Sequence, residues 1–377
     1  MKMAKTSADW KTEEIVPSLI ELATKGLVKM YDPSKRLFCY RMREVEDGSL
    51  VPYGTSRRYT IITLIGLCRL EEGGRRSPID VRSTIDKLVL EFGNNDNVGD
   101  LGLLIWLCAL AYPEYLDRLY DKYLKDNLLE SFGDFREART MELSWLLTGM
   151  SYAKKRLGAQ LQNYDQLAEK IYGVILCNYG GKAIFRHSGT RSVTGRLRGR
   201  IGSFADQVYP SYALLIFSYA FNRKEALDPA IENVKTLCRL QGEFGQWWWH
   251  YDAKSGGVVG RYPVYSVHQE GMAPMTLFEA GKRAGVDFSQ YIHRGLDWII
   301  GKNEINECLI DKERQMIWRS ISPTRIRSLQ EEFCSVATKT VGVPKSISSG
   351  LKVLRESRPY CFGWLLYAFA AKDGWSL

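Results

Sequence analysis

The sequence predicts an all-α fold, an (α/α)6 toroid: a barrel of six helical hairpins with short β-hairpins in its long loops. Three observations predict it. Six segments are apolar nearly all round, at residues 57–70, 101–112, 141–153, 212–221, 272–284 and 362–371. Each follows a segment with a charged face, at about 12–30, 80–92, 114–129, 164–178, 224–240 and 291–300. Strand-like alternation is nearly absent over most of the chain. A helix apolar on every side must be buried, and one with a polar stripe lies outside it. Length alone, 377 residues with 45% hydrophobic content, suggests two domains. The repeat argues for one domain over 1–377, because a single hairpin cannot bury its own apolar face and needs neighbours on both sides.

The inner segments start near residues 56, 99, 138, 205, 267 and 358. The early starts are about 40 residues apart, room for two helices and short turns, and the later ones roughly 60–90 apart. The second half therefore carries the long loops, where function usually resides. Loop 178–202 is glycine-rich and holds Arg186, Arg191, Arg196, Arg198 and Arg200. In loop 241–267 the runs 246–251 and 257–262 read as a short β-hairpin. Segment 303–358 has one strand-like piece at 315–320, a weakly amphipathic stretch at 327–337 and the run VGVPKSISSG.

Composition narrows the classes. The formal net charge is +9, which fits either a basic soluble protein or one with an anionic ligand. Signals for nucleic-acid modules are missing, so nucleic acid is the weakest of the anionic partners. The eight cysteines form no CxxC and no Cys–His pair, and most fall inside apolar helices. Free buried thiols in a reducing compartment are expected, with no metal and no cofactor. No secretory h-region opens the chain and no apolar run approaches the ~18 residues of a membrane span. A cytoplasmic protein is expected.

In a toroid the inner helices aim their N-termini at one mouth, which favours anions there. At the starts stand Arg57, Arg58 and Tyr59; Asn94, Asn95, Asp96 and Asp100; Arg139 and Glu142; Asp206, Gln207 and Tyr209; His268, Gln269 and Glu270; and Arg358 and Tyr360. Asp100 and Asp206 also suit ordinary helix capping. Glu142 lies in an otherwise apolar helix, where it must either pair with Arg139 at i−3 or face the cavity as an acid. Glu142, Asp206, His268, Glu270 and Tyr209 are the catalytic candidates. Arg57, Arg58 and Arg139 are candidates for holding an anion. Of four histidines, His187, His250 and His268 fall in long loops or at the mouth, without metal-ligand spacing. Strand alternation sets Trp247, Trp249 and Tyr251 on one face of the hairpin and Trp248 with His250 on the other. One face packs on the ring; the other, with Tyr262 nearby, is free to stack on a sugar.

The succession of hairpins resembles the six-hairpin glycosidase-like and terpenoid-cyclase-like toroids. The piece LCRLQGEFGQW at 237–247 is similar to the LxxLQxxDGxW turn of terpenoid cyclases, prenyltransferases and related toroids. Gln241, Gly242, Gly245 and Trp247 match, and Phe244 replaces the usual acid. The rest of the chain resembles these groups in helix pattern only. DxDD and DDxxD are both missing, which speaks against isoprenoid cyclisation. The resemblance implies a carbohydrate-active enzyme acting on an anionic or polar sugar, a small molecule or an oligosaccharide, by hydrolysis, β-elimination or epimerisation. Hydrolysis would use Glu142, Asp206 or Glu270; elimination or epimerisation would use His268 or Tyr209, with arginines on the uronate. A terpenoid cyclase or prenyltransferase and a non-catalytic binding or assembly protein remain the alternatives.

Overall fold

The computed structural model describes residues 15–93, 97–123, 135, 138–157, 164–189, 199–324 and 350–371. Asn94, Asn95, Asp96, Arg191, Arg196, Arg198 and the stretch 327–337 lie outside the described residues.

Twelve α-helices occur among the described residues. The outer ones are α1 (Ile15–Met30), α3 (Val81–Glu91), α5 (Leu116–Tyr123), α7 (Tyr164–Cys177), α9 (Leu227–Leu240) and α11 (Ser289–Ile299). The inner ones are α2 (Arg57–Glu72), α4 (Val98–Ala111), α6 (Thr140–Leu157), α8 (Ala205–Ala220), α10 (Ala273–Ala284) and α12 (Pro359–Phe369). One π-turn, His268–Met272, leads into α10. Each inner helix packs on the next in chain order, and α12 returns to α2 to close the ring. The closing contact is backbone on backbone: a Cβ on Gly66 would lie 2.1 Å from the carbonyl oxygen of Gly363. Only glycine permits that approach.

Among the described residues the ring has no open bore at its lower end. Trp106, Trp364 and the tyrosines Tyr152, Tyr212 and Tyr367 fill the axis, with phenolic oxygens 2.5–2.9 Å apart. Arg69 lies over the Tyr367 ring at 5.1 Å. Each phenol finds its partner in another, which removes the cost of burying them.

Short antiparallel strands gather at the other end. β1 (Tyr31–Asp32), β2 (Leu37–Glu44) and β3 (Leu50–Thr55) form a meander, and β12 (Glu356–Ser357) adds to β2. β4 (Ile201–Ser203), β5 (His250–Asp252) and β6 (Gly257–Gly260) make a second sheet. β7 (Val264–Tyr265), β10 (Ser320–Pro323) and β11 (Leu351–Leu354) make a third, and β8 (Ile310–Asp311) pairs with β9 (Met316–Ile317). β3, β4, β7 and β12 run almost directly into α2, α8, the π-turn and α12. The sheets therefore sit around the N-termini of the inner helices and shape the mouth.

Several expectations need correction. The first meander was not anticipated; β2 alternates poorly, and Val51 and Tyr53 of β3 are exposed. The hairpin expected at 246–262 is shorter, and Trp247, Trp248 and Trp249 precede β5 rather than belong to it. Without strand geometry the alternation fails: Trp247, Trp248 and Tyr251 are buried, while Trp249 and His250 are half-buried together. The strand-like piece at 315–320 divides between β9 and β10. Cys39, Cys68, Cys108, Cys238 and Cys361 are free and buried. Among the described residues no helix is long and apolar enough to cross a membrane.

Candidate active site

An acidic group forms where α2, α4 and α6 begin. Asn97 caps α4, its side chain accepting from the Asp100 amide at 2.9 Å, so Asp100 is not the cap. Asp100 instead accepts both arms of Arg58, at 2.6 and 3.1 Å, the bidentate geometry that suits guanidinium and carboxylate. Asn97 Nδ2 donates to Glu142 Oε1 at 3.1 Å, and Arg58 approaches the same oxygen at 3.9 Å. The expected i−3 pair with Arg139 is not how Glu142 is held; Arg139 is exposed and bridges to Ser188 through its backbone. Burial works against the charge on Arg58, but Asp100 and then Glu142 outweigh it and raise its pKa. Arg58 also lies over the Trp145 ring at 5.4 Å. Partial exposure of Arg58, Asp100 and Glu142 leaves the group open to solvent.

A basic group stands beside it. Glu356 of β12 is buried among Arg41 (3.0 Å), Arg319 and Arg358 (2.7 Å). Burial alone would raise the Glu356 pKa; the Arg358 hydrogen bond and the Arg319 charge prevail and lower it. Three guanidinium groups around one carboxylate leave two positive charges over. The Nε atoms of Arg41 and Arg319 are buried with no hydrogen-bond partner among the described residues. Arg358 donates to the Tyr59 hydroxyl at 2.7 Å and lies 4.4 Å from the Tyr40 ring, which stacks on Tyr59. Tyr59 also meets Tyr360, ring centroids 4.5 Å apart. Arg58 and Tyr59 are neighbours on α2, so the first turn of one helix holds one member of each group.

At the start of α8, Asp206 and Ser203 cap reciprocally: Ser203 N and Oγ each donate to Asp206 Oδ2 at 2.8 Å, and Ser203 Oγ accepts from the Asp206 amide. The same Oδ2 lies 2.9 Å from His187 Nδ1. Asp206 is buried, whereas the His187 side chain is 21% exposed. A buried carboxylate thus fixes one ring nitrogen and leaves the other turned elsewhere.

His268 and Glu270 lie deeper. Burial pushes His268 down to about 3, so its ring is neutral, and Nδ1 faces the Trp247 carbonyl at 3.4 Å. Glu270 is wholly buried; burial drives its pKa well above the ordinary range against a weak opposing contact with Ser266. Tyr209 is buried between Trp145 and Trp364, and burial raises its pKa as well.

The remaining candidates divide. Trp249 stacks on His250 at 4.3 Å and meets Tyr265, which contacts both His268 and Arg319, so this pair adjoins the basic group. Trp247 is a core residue, stacked on Phe204. Trp248 and Tyr262 form a separate cluster in which Tyr262 donates to Glu304 at 2.8 Å. Arg57 turns outward to Glu91 at the end of α3. Sequence reasoning missed Arg41, Arg319 and Glu356, which meet only through strand pairing, and left Asn97 and His187 out of the candidates. Among the described residues no group of three or more His, Cys, Asp or Glu side chains is set to hold a metal ion.

The piece at 237–247 joins the end of α9 to the loop that follows it. Gln241 ends α9, and its amide nitrogen donates to the carbonyls of Gly245 and Tyr291. Gly245 has φ +91°. Its Cα faces the Arg294 backbone so closely that a side chain would collide with it.

No family model matches the sequence, and no curated protein matches it. Solved structures do. A protein from Klebsiella pneumoniae described as a possible member of the GH105 family is 12% identical, with TM-score 0.60 and 98% of each chain covered. A Streptococcus agalactiae unsaturated glucuronyl hydrolase variant, complexed with dGlcA-GalNAc6S, is 13% identical at TM-score 0.59, covering 99% of this chain and 94% of that one. A sugar epimerase from a ruminal bacterium is 11% identical at TM-score 0.60, with 96% and 99% covered. These likenesses carry the glycosidase half of the expected resemblance and not the terpenoid-cyclase half. The fold of this chain is the six-hairpin (α/α)6 toroid of those structures.

Proposed function

We propose that this chain is a carbohydrate-active enzyme, that its substrate is an oligosaccharide carrying a carboxylate, and that Glu142 transfers the proton in its hydrolysis. One observation supports this most: the first turn of α2 joins an acidic group, through Arg58, to a basic group, through Tyr59. The basic side has two positive charges in excess, suited to a uronate. The acidic side offers a carboxylic acid that gives its proton to the leaving oxygen while a water attacks the anomeric carbon; the proton that this water releases restores the acid. Both Asp100 oxygens are engaged by Arg58, which fits a positioning role. Glu142, held at Oε1 by Asn97, is the better proton donor. The relatives' printed substrates and reactions agree with this class, and the charged mouth does not suit a terpenoid cyclase. Free thiols support a cytoplasmic site of action.

A second reading rests on a specific observation. The His187–Asp206 pair is a carboxylate-oriented imidazole, the arrangement of a base that removes the proton at C5 in elimination or epimerisation. His268 and Tyr209 suit that task less, since burial holds one neutral and weakly basic and the other protonated.

The test is product analysis by mass spectrometry over uronate oligosaccharides, with Glu142→Gln and His187→Gln compared. Hydrolysis lost with Glu142→Gln supports the first reading. Unsaturated or epimerised products lost with His187→Gln support the second. No turnover of any uronate substrate by the native protein would sink both.

A further inference from the structure

Beside the second sheet, a cleft is lined by Gly181, Lys182, Arg186, Arg200, Ala253 and Lys254. Three pieces of chain build it. Lys182 lies on the turn after α7 that the Tyr179–Phe185 bridge closes, and Arg186 follows that bridge. Arg200 precedes β4, and Lys254 sits in the turn between β5 and β6. The two turns are packed directly together: a Cβ on Gly256 would lie 2.8 Å from Lys182 Cβ, and one on Gly180 would lie 2.8 Å from the Ala253 carbonyl oxygen. The cationic side chains are therefore presented by a fixed frame.

Charge in this cleft is unbalanced. Asp252 is the acid bound into it, 3.3 Å from Arg200 Nε and accepting from the Lys254 amide. Against it stand the side chains of Lys182, Arg186, Arg200 and Lys254. Like charges held together cost energy unless an anion joins them. Arg186 Nε is, besides, buried with no hydrogen-bond partner among the described residues. A guanidinium N–H in that condition favours an oxyanion acceptor.

We infer that this cleft is a second oxyanion site, distinct from the basic group at the mouth, that takes a sulfate, phosphate or carboxylate group. Its position gives it a connection to the mouth. β4 runs from Arg200 to Ser203, beside the Asp206–His187 pair, and β5 runs alongside from His250 to Asp252. Three strand residues span about 10 Å, a distance that an oligosaccharide bridges. The anion therefore comes from one of two sources: a remote charged group of a bound oligosaccharide, which rests on the proposed function, or a free inorganic anion, which does not.

The experiment uses the full chain and the double variant Lys182→Glu/Lys254→Glu, both exposed turn positions, with Arg186→Gln as a second variant. Calorimetric titration with inorganic phosphate and with sulfate, at constant ionic strength set by chloride, reads the site directly. The native chain is expected to bind one of them saturably, and each variant to bind about tenfold or more weakly. A kinetic arm compares oligosaccharides with one and with two anionic groups. Selective loss of kcat/KM for the doubly charged substrate assigns the site to the oligosaccharide. Unchanged kinetics with lost phosphate or sulfate binding assigns it to the free anion. If no substrate is turned over, the proposed function fails and calorimetry still decides the site. Equal behaviour of native chain and variants in both arms overturns the inference. So does binding of single-stranded nucleic acid without saturable binding of either small anion.

Discussion

Glu142 carries the chemical claim at the scale of single residues. Glu142→Gln keeps the size and the Asn97 contact but removes the titratable proton. Turnover should fall by about 10²–10⁴-fold with little change in melting temperature. A loss of activity matched by a loss of fold would point to structure instead. The buried pair on the π-turn makes a separate prediction about pH. His268 is lowered from 6.5 to about 3, so the unfolded chain binds its proton more readily, and stability rises with pH from about 3 to 6.5. Glu270 is raised well above 4.5, so the folded chain binds that proton more readily, and stability falls as pH rises past 4.5. The two slopes oppose each other as pH rises past 4.5, so Glu270 offsets the rise due to His268. Denaturant unfolding between pH 5 and 6.5 should show stability rising less steeply with pH in the native chain than in Glu270→Gln. Identical profiles would refute it. Glu356 behaves oppositely: its lowered pKa gives stability that is present above 4.5 and lost as pH falls through the folded value. Glu356→Gln leaves three arginines facing one another and should cost about 3 kcal/mol at neutral pH, read from the unfolding midpoint.

Among the elements, the inner helices set the limits of tolerance. Gly66→Ala puts a methyl group onto the Gly363 backbone, which cannot swing aside like a side chain. A loss of about 1–3 kcal/mol is expected in denaturant unfolding, against a gain of about 0.4–1 kcal/mol for Gly173→Ala on α7, where nothing obstructs a Cβ. Helices of this kind were legible in the sequence because each is apolar on nearly every side, and their starts fell within a few residues of those observed. The strands were less legible. β2 and β3 escaped notice although Asp47–Gly48 stands between them as a turn signal, because β3 is exposed on most positions and shows no alternation. The three tryptophans misled for the reverse reason: a β pattern was read into residues that form no strand. Glu142 stood out as a charge in an apolar helix, but its partners Asn97 and Arg58 come from other hairpins. Arg41, Arg319 and Glu356 are far apart in sequence; the pairing of β12 on β2 gathers Arg41 with Glu356, and that of β11 on β10 brings in Arg319. Spacing along one chain carries no trace of such a cluster.

For the whole molecule, the toroid explains why function concentrates at one end. Among the described residues the tyrosine and tryptophan plug fills the lower axis, and every inner helix directs its N-terminus to the other end. The sheets raise the walls of the mouth there, and the acidic and basic groups share it. The central claim is that this mouth acts on carboxylated sugar. The most direct measurement is mass-spectrometric analysis of products from uronate oligosaccharides set beside their carboxyl-reduced counterparts. The account predicts turnover of the carboxylated set alone, lost in Glu142→Gln. Equal turnover of both sets, or turnover undiminished in that variant, would contradict it.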